Sequence, residues 1–408
     1  MSPAPDRIDL YDPDGYVDSA PWEGFARLRR EDPVYWQELG AGGYWAVMKH
    51  ADVVSVSKDI GLFSSERGSV VIEDLPEETL AMMRHMLLVM DPPRHGKFRR
   101  LVLHAFTPSM VDRLEPRIRE ITRGIMRRAA ELREVEYVHD LCGELPMQVI
   151  GELFGVPEAD RAEVHRWAEL NSGSQDYEIN PSQEAGEGTR RMAAYAIALA
   201  AERRGREGID LTSAIVNSEL EGHRMNDFEF GSFFVQLVTA GNDTTRTMLS
   251  NGTLALLENP GELARLRADP RLVEGALEEM LRYASPLHYF RRTATRDTEL
   301  RGRRIREGDK VVMMYTSANR DEEVFPDADR FDVGRRPNPH LAFGFGEHFC
   351  LGAKLARLEG RVFFEELLRT FSGLEQTGKA RRQRSNLNNA LKALPLRLTP
   401  ARPASAEV

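Results

Sequence analysis

The stretch from His340 to Glu359, "HLAFGFGEHFCLGAKLARLE", sets one of only two cysteines in 408 residues into a glycine-spaced loop just ahead of an apolar helical pattern. Gly344, Gly346 and Gly352 space the loop, and the helix opens near Leu351, directly after Cys350. The start of a helix presents unpaired N–H groups and the positive end of the helix dipole, which favours a thiolate over a thiol at that position. A lone cysteine without such a setting is usually a small buried hydrophobe. Cys142, in "DLCGELP", keeps that ordinary role.

The rest of the chain bounds what such a cysteine can do. A composition 41% hydrophobic and 29% charged can bury a large core and stay soluble. A formal charge of −9 and a pI of about 5.7 disfavour nucleic acid and anionic membranes as partners. Two cysteines exclude a disulfide scaffold and a multi-cysteine zinc site, and suit a reducing compartment. The N-terminus, "MSPAPDRIDLYDPDGY", has no apolar signal region, and the most apolar stretch, "MAAYAIALAA", is far short of a membrane span. A cytoplasmic protein without a membrane anchor is expected.

Helical periodicity dominates, as in "VDRLEPRIREITRGIMRRAAEL", "EADRAEVHRWAEL" and "RLVEGALEEMLRYA". β-rich portions are expected at 33–57 ("PVYWQEL", a Gly-rich turn, "GYWAVM") and at about 298–316 ("TELRGRRIREGDKVVMMYT"). One helix is unusually long: from Asp227 to Glu258 no proline interrupts, Asn226 or Asp227 can cap its start, and Asn259-Pro260 stops it. At 1.5 Å per residue it spans roughly 48 Å, enough to cross a domain. The segment from Asn171 to Gly188 is the best candidate for a mobile loop. There is no internal repeat, so the expectation is one mainly helical domain over residues 1–408 with small β-sheets at one side.

The spacing Phe343-x-x-Gly346-x-x-x-Cys350-x-Gly352 resembles the haem-binding loop of the cytochrome P450 family, and further motifs in family order extend the resemblance over nearly the whole chain. It implies a long central helix crossing over haem b, with Cys350 as axial iron ligand. A thiolate there pushes electron density onto the iron and favours O–O cleavage. The glycines let the backbone approach the porphyrin, and Phe343 shields the sulfur. In the long helix "AGNDTT" matches the acid–alcohol pair over the distal face, with Asp243 and Thr244 delivering protons to bound dioxygen. The family's cations for the haem propionates match His95, Arg99, Arg292 and His348, with Arg291 as competitor for Arg292. Glu279-x-x-Arg282 matches the family's buried structural network, for which Arg330 in "DADRF" is the third member.

The substrate pocket implied by the resemblance falls on Met82, Met83, Met86 and Met90, on Gln236, Thr239 and Ala240, on Leu287, His288 and Phe290, and on Leu387 at a hairpin tip. Methionines adapt to irregular apolar shapes, although such residues also pack ordinary cores. The family implication is hydroxylation of an apolar molecule (a steroid, terpenoid, or long or branched lipid) with O₂ and two electrons from NAD(P)H, passed through a reductase and an iron–sulfur ferredoxin. Lys97, Arg100, Arg113, Lys354, Arg357 and Arg361 form a basic cluster suited to docking that ferredoxin, or simply a solvated face. A monomer is expected. The alternatives are a peroxygenase driven by H₂O₂ and a haem sensor or binding protein without turnover.

Overall fold

The computed structural model describes residues 8–40, 42–105, 107–172, 175–180 and 185–401. Its axis is the helix Asp227–Glu258, 32 residues long. Asn226 accepts a hydrogen bond from the Glu229 N–H at 2.9 Å while the Glu229 carboxylate accepts from the Asn226 N–H at 3.0 Å, a complete capping box. At the other end Asn259 leads into the separate helix Pro260–Ala268.

The central helix is buried along most of its length because other helices surround it: Ala185–Arg203, Glu158–Ser172, Val273–Tyr283 and Ala353–Thr370 all pack on it. Two glycines set how closely the last two of these approach the central helix and each other. A Cβ at Gly252 would lie 2.7 Å from Met280 Sδ, and one at Gly360 would lie 2.7 Å from Leu277 and 2.9 Å from Met248. Side chains on both sides fill that space, so alanine at either site would force the helices apart.

The predicted helical run 111–132 divides at Leu114 into Pro108–Arg113 and Glu115–Leu132. Pro116 is the cause, since its ring cannot follow a continuous helical turn and is tolerated in a first turn.

A five-stranded sheet lies to one side, in the order Val34–Leu39, Gly42–Val47, Lys310–Met314, Tyr289–Ala294 and Phe63–Ser64. Its first two strands form a hairpin with Trp36 opposite Trp45, their rings 5.0 Å apart. The β-rich expectation for 33–57 is correct only to Val47, because His50–Lys58 is a helix. Its valines favour strands locally, but Val53 and Val56 stand three residues apart and are both buried, a helical spacing that packing selects. The portion 298–316 contains Thr298–Leu300, Arg303–Ile305 and Lys310–Met314, and then turns helical at Tyr315. A second sheet pairs Glu134–Glu136 and Phe371–Gln376 on either side of Pro395–Pro400.

Of the loop expected at 171–188, residues 173, 174 and 181–184 lie outside the described residues. Within it Asp176 is buried and accepts from the Arg384 N–H at 2.9 Å and Lys392 Nζ at 3.2 Å. Among the described residues no helix is long and apolar enough to cross a membrane.

Candidate active site

The central helix, the cysteine loop and the strand Tyr289–Ala294 line a cavity that opens to solvent, the space free of protein atoms in it and its mouth together amounting to about 1510 Å³. Cys350 opens onto it. The loop is shaped by its own backbone: the Cys350 N–H donates to the Phe343 carbonyl at 2.9 Å, and Gly344 and Gly346 take φ of 71° and 73°. At Gly346 a Cβ would also lie 2.8 Å from the Ser57 carbonyl oxygen, so glycine is required there on two counts. At Gly352 a Cβ would meet no protein atom within 4 Å, and this glycine lines the cavity.

Burial is the largest influence on the Cys350 thiol and raises its pKa, while the Gly352 N–H, the Arg99 and Arg357 guanidinium groups and the Ala353 N–H pull it down. A cation at the sulfur supplies what those dipoles and distant charges do not, because a metal-bound thiol is deprotonated outright. Phe343 covers this side, with the Arg357 guanidinium 4.4 Å from the centre of its ring.

His95 and Arg99 on the helix Arg94–Ala105, Arg292 on the strand Tyr289–Ala294 and His348 in the cysteine loop converge on the same cavity from three segments of the chain. The rings of His95 and His348 lie 4.3 Å apart. Burial, aided by neighbouring cations, pushes His95 down to about 4 and His348 down to about 2. Neither ring nitrogen of buried His95 has a hydrogen-bond partner among the described residues, and Glu347 comes no closer than 3.9 Å. Arg292 is fully buried and donates to the Arg291 carbonyl, whereas Arg291 turns away to Asp74 at 3.2 Å. The unpartnered ring nitrogens of His95 call for a hydrogen-bonding group in the cavity. A cysteine facing the cavity, an open glycine cradle and four basic side chains on the wall, held in part only by the backbone carbonyls of Phe349 and Arg291, fit an iron porphyrin with two carboxylates.

Thr244 lines the cavity, its hydroxyl donating to the Ala240 carbonyl at 2.7 Å. Ala240 and Gly241 leave open space beside it. Asp243 is not on the cavity wall; its carboxylate accepts from Arg246 Nη2 at 3.1 Å. Arg246 in turn binds Glu169 at 3.0 Å.

The centre of the structural network, Glu279 and Arg282, is fully buried. Glu279 and Arg282 pair at 2.7 and 2.8 Å, and Arg282 also donates to the carbonyls of Asn319, Ala328 and Arg330. The third member is Arg335, not Arg330: Arg335 Nε lies 3.1 Å from the Glu279 carboxylate, while exposed Arg330 supplies only its backbone carbonyl. The "DADRF" segment gives the network backbone carbonyls while the Arg330 side chain turns outward, and the basic side chain that reaches Glu279 comes five residues later. Asn338 and the Asp332 N–H complete the shell around Glu279.

The expected substrate residues divide. Gln236, Ala240, Leu287 and Phe290 line the cavity, but none of the four methionines does. Met82 is 51% exposed, Met83 and Met86 are half-buried, and Met90 is packed inside the main core. The wall in that segment is made by Leu87 and Leu88 instead, because the short turn Leu87–Val89 follows a helix that ends at Met83 and points different residues inward. Thr239 also lies off the wall, and Leu387 packs against the cluster under the N-terminal sheet. His288 is buried elsewhere, against the Tyr16 ring and 3.2 Å from Thr316 Oγ1, with burial pushing it down to about 3.

Sequence reasoning also missed Ile150 and Leu153 on the wall, and buried Glu359, whose carboxyl burial raises to about 8. Glu359 stands nine residues after Cys350 in an otherwise apolar helical face, the one signal that could have singled it out.

Of the six basic residues near the cysteine loop, four carry carboxylate partners: Arg100 with Glu221, Lys354 with Asp112, Arg357 with Glu278, and Arg361 with Glu115 and Glu365.

The model of the cytochrome P450 family matches residues 189–399. A steroid C26-monooxygenase of Rhodococcus jostii is 36% identical over 400 residues, covering 95% of this chain and 84% of that protein. A methyl-branched lipid omega-hydroxylase of Mycobacterium bovis is 40% identical over 385 residues, covering 91% and 90%. Among solved structures, a Mycobacterium marinum cytochrome P450 in complex with pseudoionone superposes with a TM-score of 0.89 at 40% identity, covering 97% of this chain and 100% of that one. The cavity, its cysteine and its basic rim thus lie in a chain that belongs to the cytochrome P450 family, a haem-thiolate monooxygenase whose cofactor is haem b.

Proposed function

We propose that the protein hydroxylates a large apolar molecule, a steroid, terpenoid or branched lipid, using electrons that reach it from NAD(P)H through a reductase and an iron–sulfur ferredoxin. The observation that carries this is the cavity itself: above the cysteine loop its wall is built from Leu87, Leu88, Ile150, Leu153, Leu287 and Phe290, with no ion pair among the described residues there to receive a charged substrate. The relatives' names point the same way, to steroids and methyl-branched lipids. In the overall reaction a C–H bond becomes C–OH with one atom of O₂. The other atom leaves as water, which consumes two electrons and two protons.

Cys350 would hold the haem iron, and His95, Arg99, Arg292 and His348 would hold its propionates. When bound, the thiolate-ligated haem supplies the activation of dioxygen that an unactivated C–H bond requires. The residues of the chain manage binding and protons. Apolar burial at about 25 cal/mol per Å² gives a lipid ample affinity without charge. The Thr244 hydroxyl presents its lone pairs to the cavity and can reorient from the Ala240 carbonyl to donate inward. Asp243, one residue earlier and tied to Arg246, would bring protons to it from outside the wall.

Electron delivery would use the face around Lys97 and Arg113, neither of which has a carboxylate partner among the described residues. Charge there would steer an acidic protein despite the net charge of −9.

The test is NADH consumption and product formation with a surrogate ferredoxin and reductase, against a panel of steroids, terpenes and branched lipids. Coupled turnover of at least one lipid is expected. Turnover with H₂O₂ alone, at equal rate and without ferredoxin, would establish a peroxygenase instead.

A further inference from the structure

Along the central helix, Gln236, Ala240 and Thr244 recur every four residues and all line the cavity, so they share one face. Most polar side chains on the wall are already accounted for. His95, Arg99, Arg292, His348 and Cys350 belong to the cofactor, Tyr315 packs edge-on against the Phe290 ring beside Arg292, and Glu359 comes from the helix that follows Cys350. Thr244 and Thr245 are adjacent in the helix. Two turns away stands Gln236, among Leu87, Leu88 and Leu237.

Gln236 Oε1 faces the Leu87–Val89 turn, with the Leu88 N–H at 3.5 Å as a long donor to it. The Nε2 end therefore carries the donors, and it has no hydrogen-bond partner among the described residues. A half-buried amide donor on an apolar wall discriminates strongly, because a ligand without an acceptor leaves it unsatisfied.

We infer that Gln236 anchors the substrate by one neutral oxygen, so that the enzyme takes an apolar molecule bearing a single carbonyl or hydroxyl group and oxidises it far from that group. The inference rests on the cavity being the substrate chamber. Eight helical residues separate Gln236 from Thr244, a rise of about 12 Å, comparable to the length of a fused-ring skeleton or an extended isoprenoid chain. The oxygen must be neutral, since no cation lines this end of the wall and an ionised carboxylate would be buried unpaired.

The experiment compares a long-chain methyl ketone, the hydrocarbon of equal length and the corresponding fatty acid, by titrating the Soret shift of the haem-loaded enzyme and locating the hydroxyl in the products. The wild type should bind the ketone about five- to tenfold more tightly than the hydrocarbon, the worth of one net hydrogen bond, and hydroxylate it near the end remote from the carbonyl. Gln236→Leu should bring the two affinities together and spread hydroxylation over several positions. Gln236→Glu, which loses the donor at neutral pH, should bind the ketone more weakly than the hydrocarbon. Both variants must first show the intact thiolate spectrum of the reduced carbon monoxide complex. Equal wild-type affinities, a preference that survives Gln236→Leu, or tightest binding of the fatty acid would each overturn the anchor. If no apolar compound shifts the Soret band at all, the chamber assignment itself fails, a result distinct from these three.

Discussion

The two sides of the cavity are built on different principles. On the cysteine side, positions are dictated one residue at a time: Gly346 by a positive φ and the nearby Ser57 carbonyl, Cys350 by its bond to Phe343, and Glu279 by five donors around one carboxylate. On the opposite side Leu87, Leu88, Ile150 and Leu153 are held only by being apolar and of suitable size. Directional bonds tolerate no exchange of residue type, whereas an apolar wall tolerates many. Substitutions should therefore act all-or-none on the first side and by degrees on the second.

The largest effect is expected at Cys350. Cys350→Ser or Cys350→His should abolish the red-shifted Soret band of the reduced carbon monoxide complex and reduce turnover to background, while Cys142→Ser, deep in the core, leaves the band in place. Retention of the band in Cys350→His would break the comparison at its root.

Next comes the buried network, where Arg330 and Arg335 make a paired test. Arg335→Ala strips a partner from fully buried Glu279 and should cost about 3–5 kcal/mol, seen as lost haem incorporation and a lower denaturation midpoint. Arg330 contributes only its backbone carbonyl, so Arg330→Ala should stay within about 0.5 kcal/mol of wild type. The reverse ranking would restore Arg330 to the network.

A third test sits where the two sides meet. Asp243→Asn should slow turnover roughly 10²-fold, the lower range for general acid–base contributions. Thr244→Ala should still bind substrate and oxygen, yet divert electrons from product to peroxide. Full coupling of NADH to product in both variants would remove proton delivery from these residues.

What could be read from the sequence follows the same division. The cysteine loop and the bounds of the central helix were legible because glycine spacing, a capping residue at Asn226 or Asp227 and Asn259-Pro260 are local signals with one physical meaning. Arg335 was missed because which of two arginines five residues apart reaches Glu279 depends on the turn between them, and nothing in "DADRFDVGRR" expresses that. The strand expectation past Val47 failed for the same reason, since packing of Val53 and Val56 overrode their intrinsic preference. The methionines misled most. Met82 and Leu88 stand six residues apart in one apolar-looking run, and only the end of the helix at Met83 decides which of them faces inward.

That last pair gives the smallest effect and the sharpest check of the distal wall. Leu88 lines the cavity and is partly exposed to it, so Leu88→Ala removes three carbons from the surface that meets a substrate. At about 25 cal/mol per Å² the lost contact is worth roughly 1–2 kcal/mol, or about five- to thirtyfold in the dissociation constant of a lipid. Folding stability should change less, because Leu88 is only half-buried and its neighbour Leu87 carries the core contact. Met82 is 51% exposed on the outer face, and Met82→Ala should shift that constant less than about twofold. Soret titrations with one steroid and one branched lipid on both variants would measure the difference. Should Met82→Ala prove the more damaging, the segment from Leu80 to Met90 must turn its methionines inward when a substrate binds, and the wall drawn from Leu87 and Leu88 would describe only the unliganded chain.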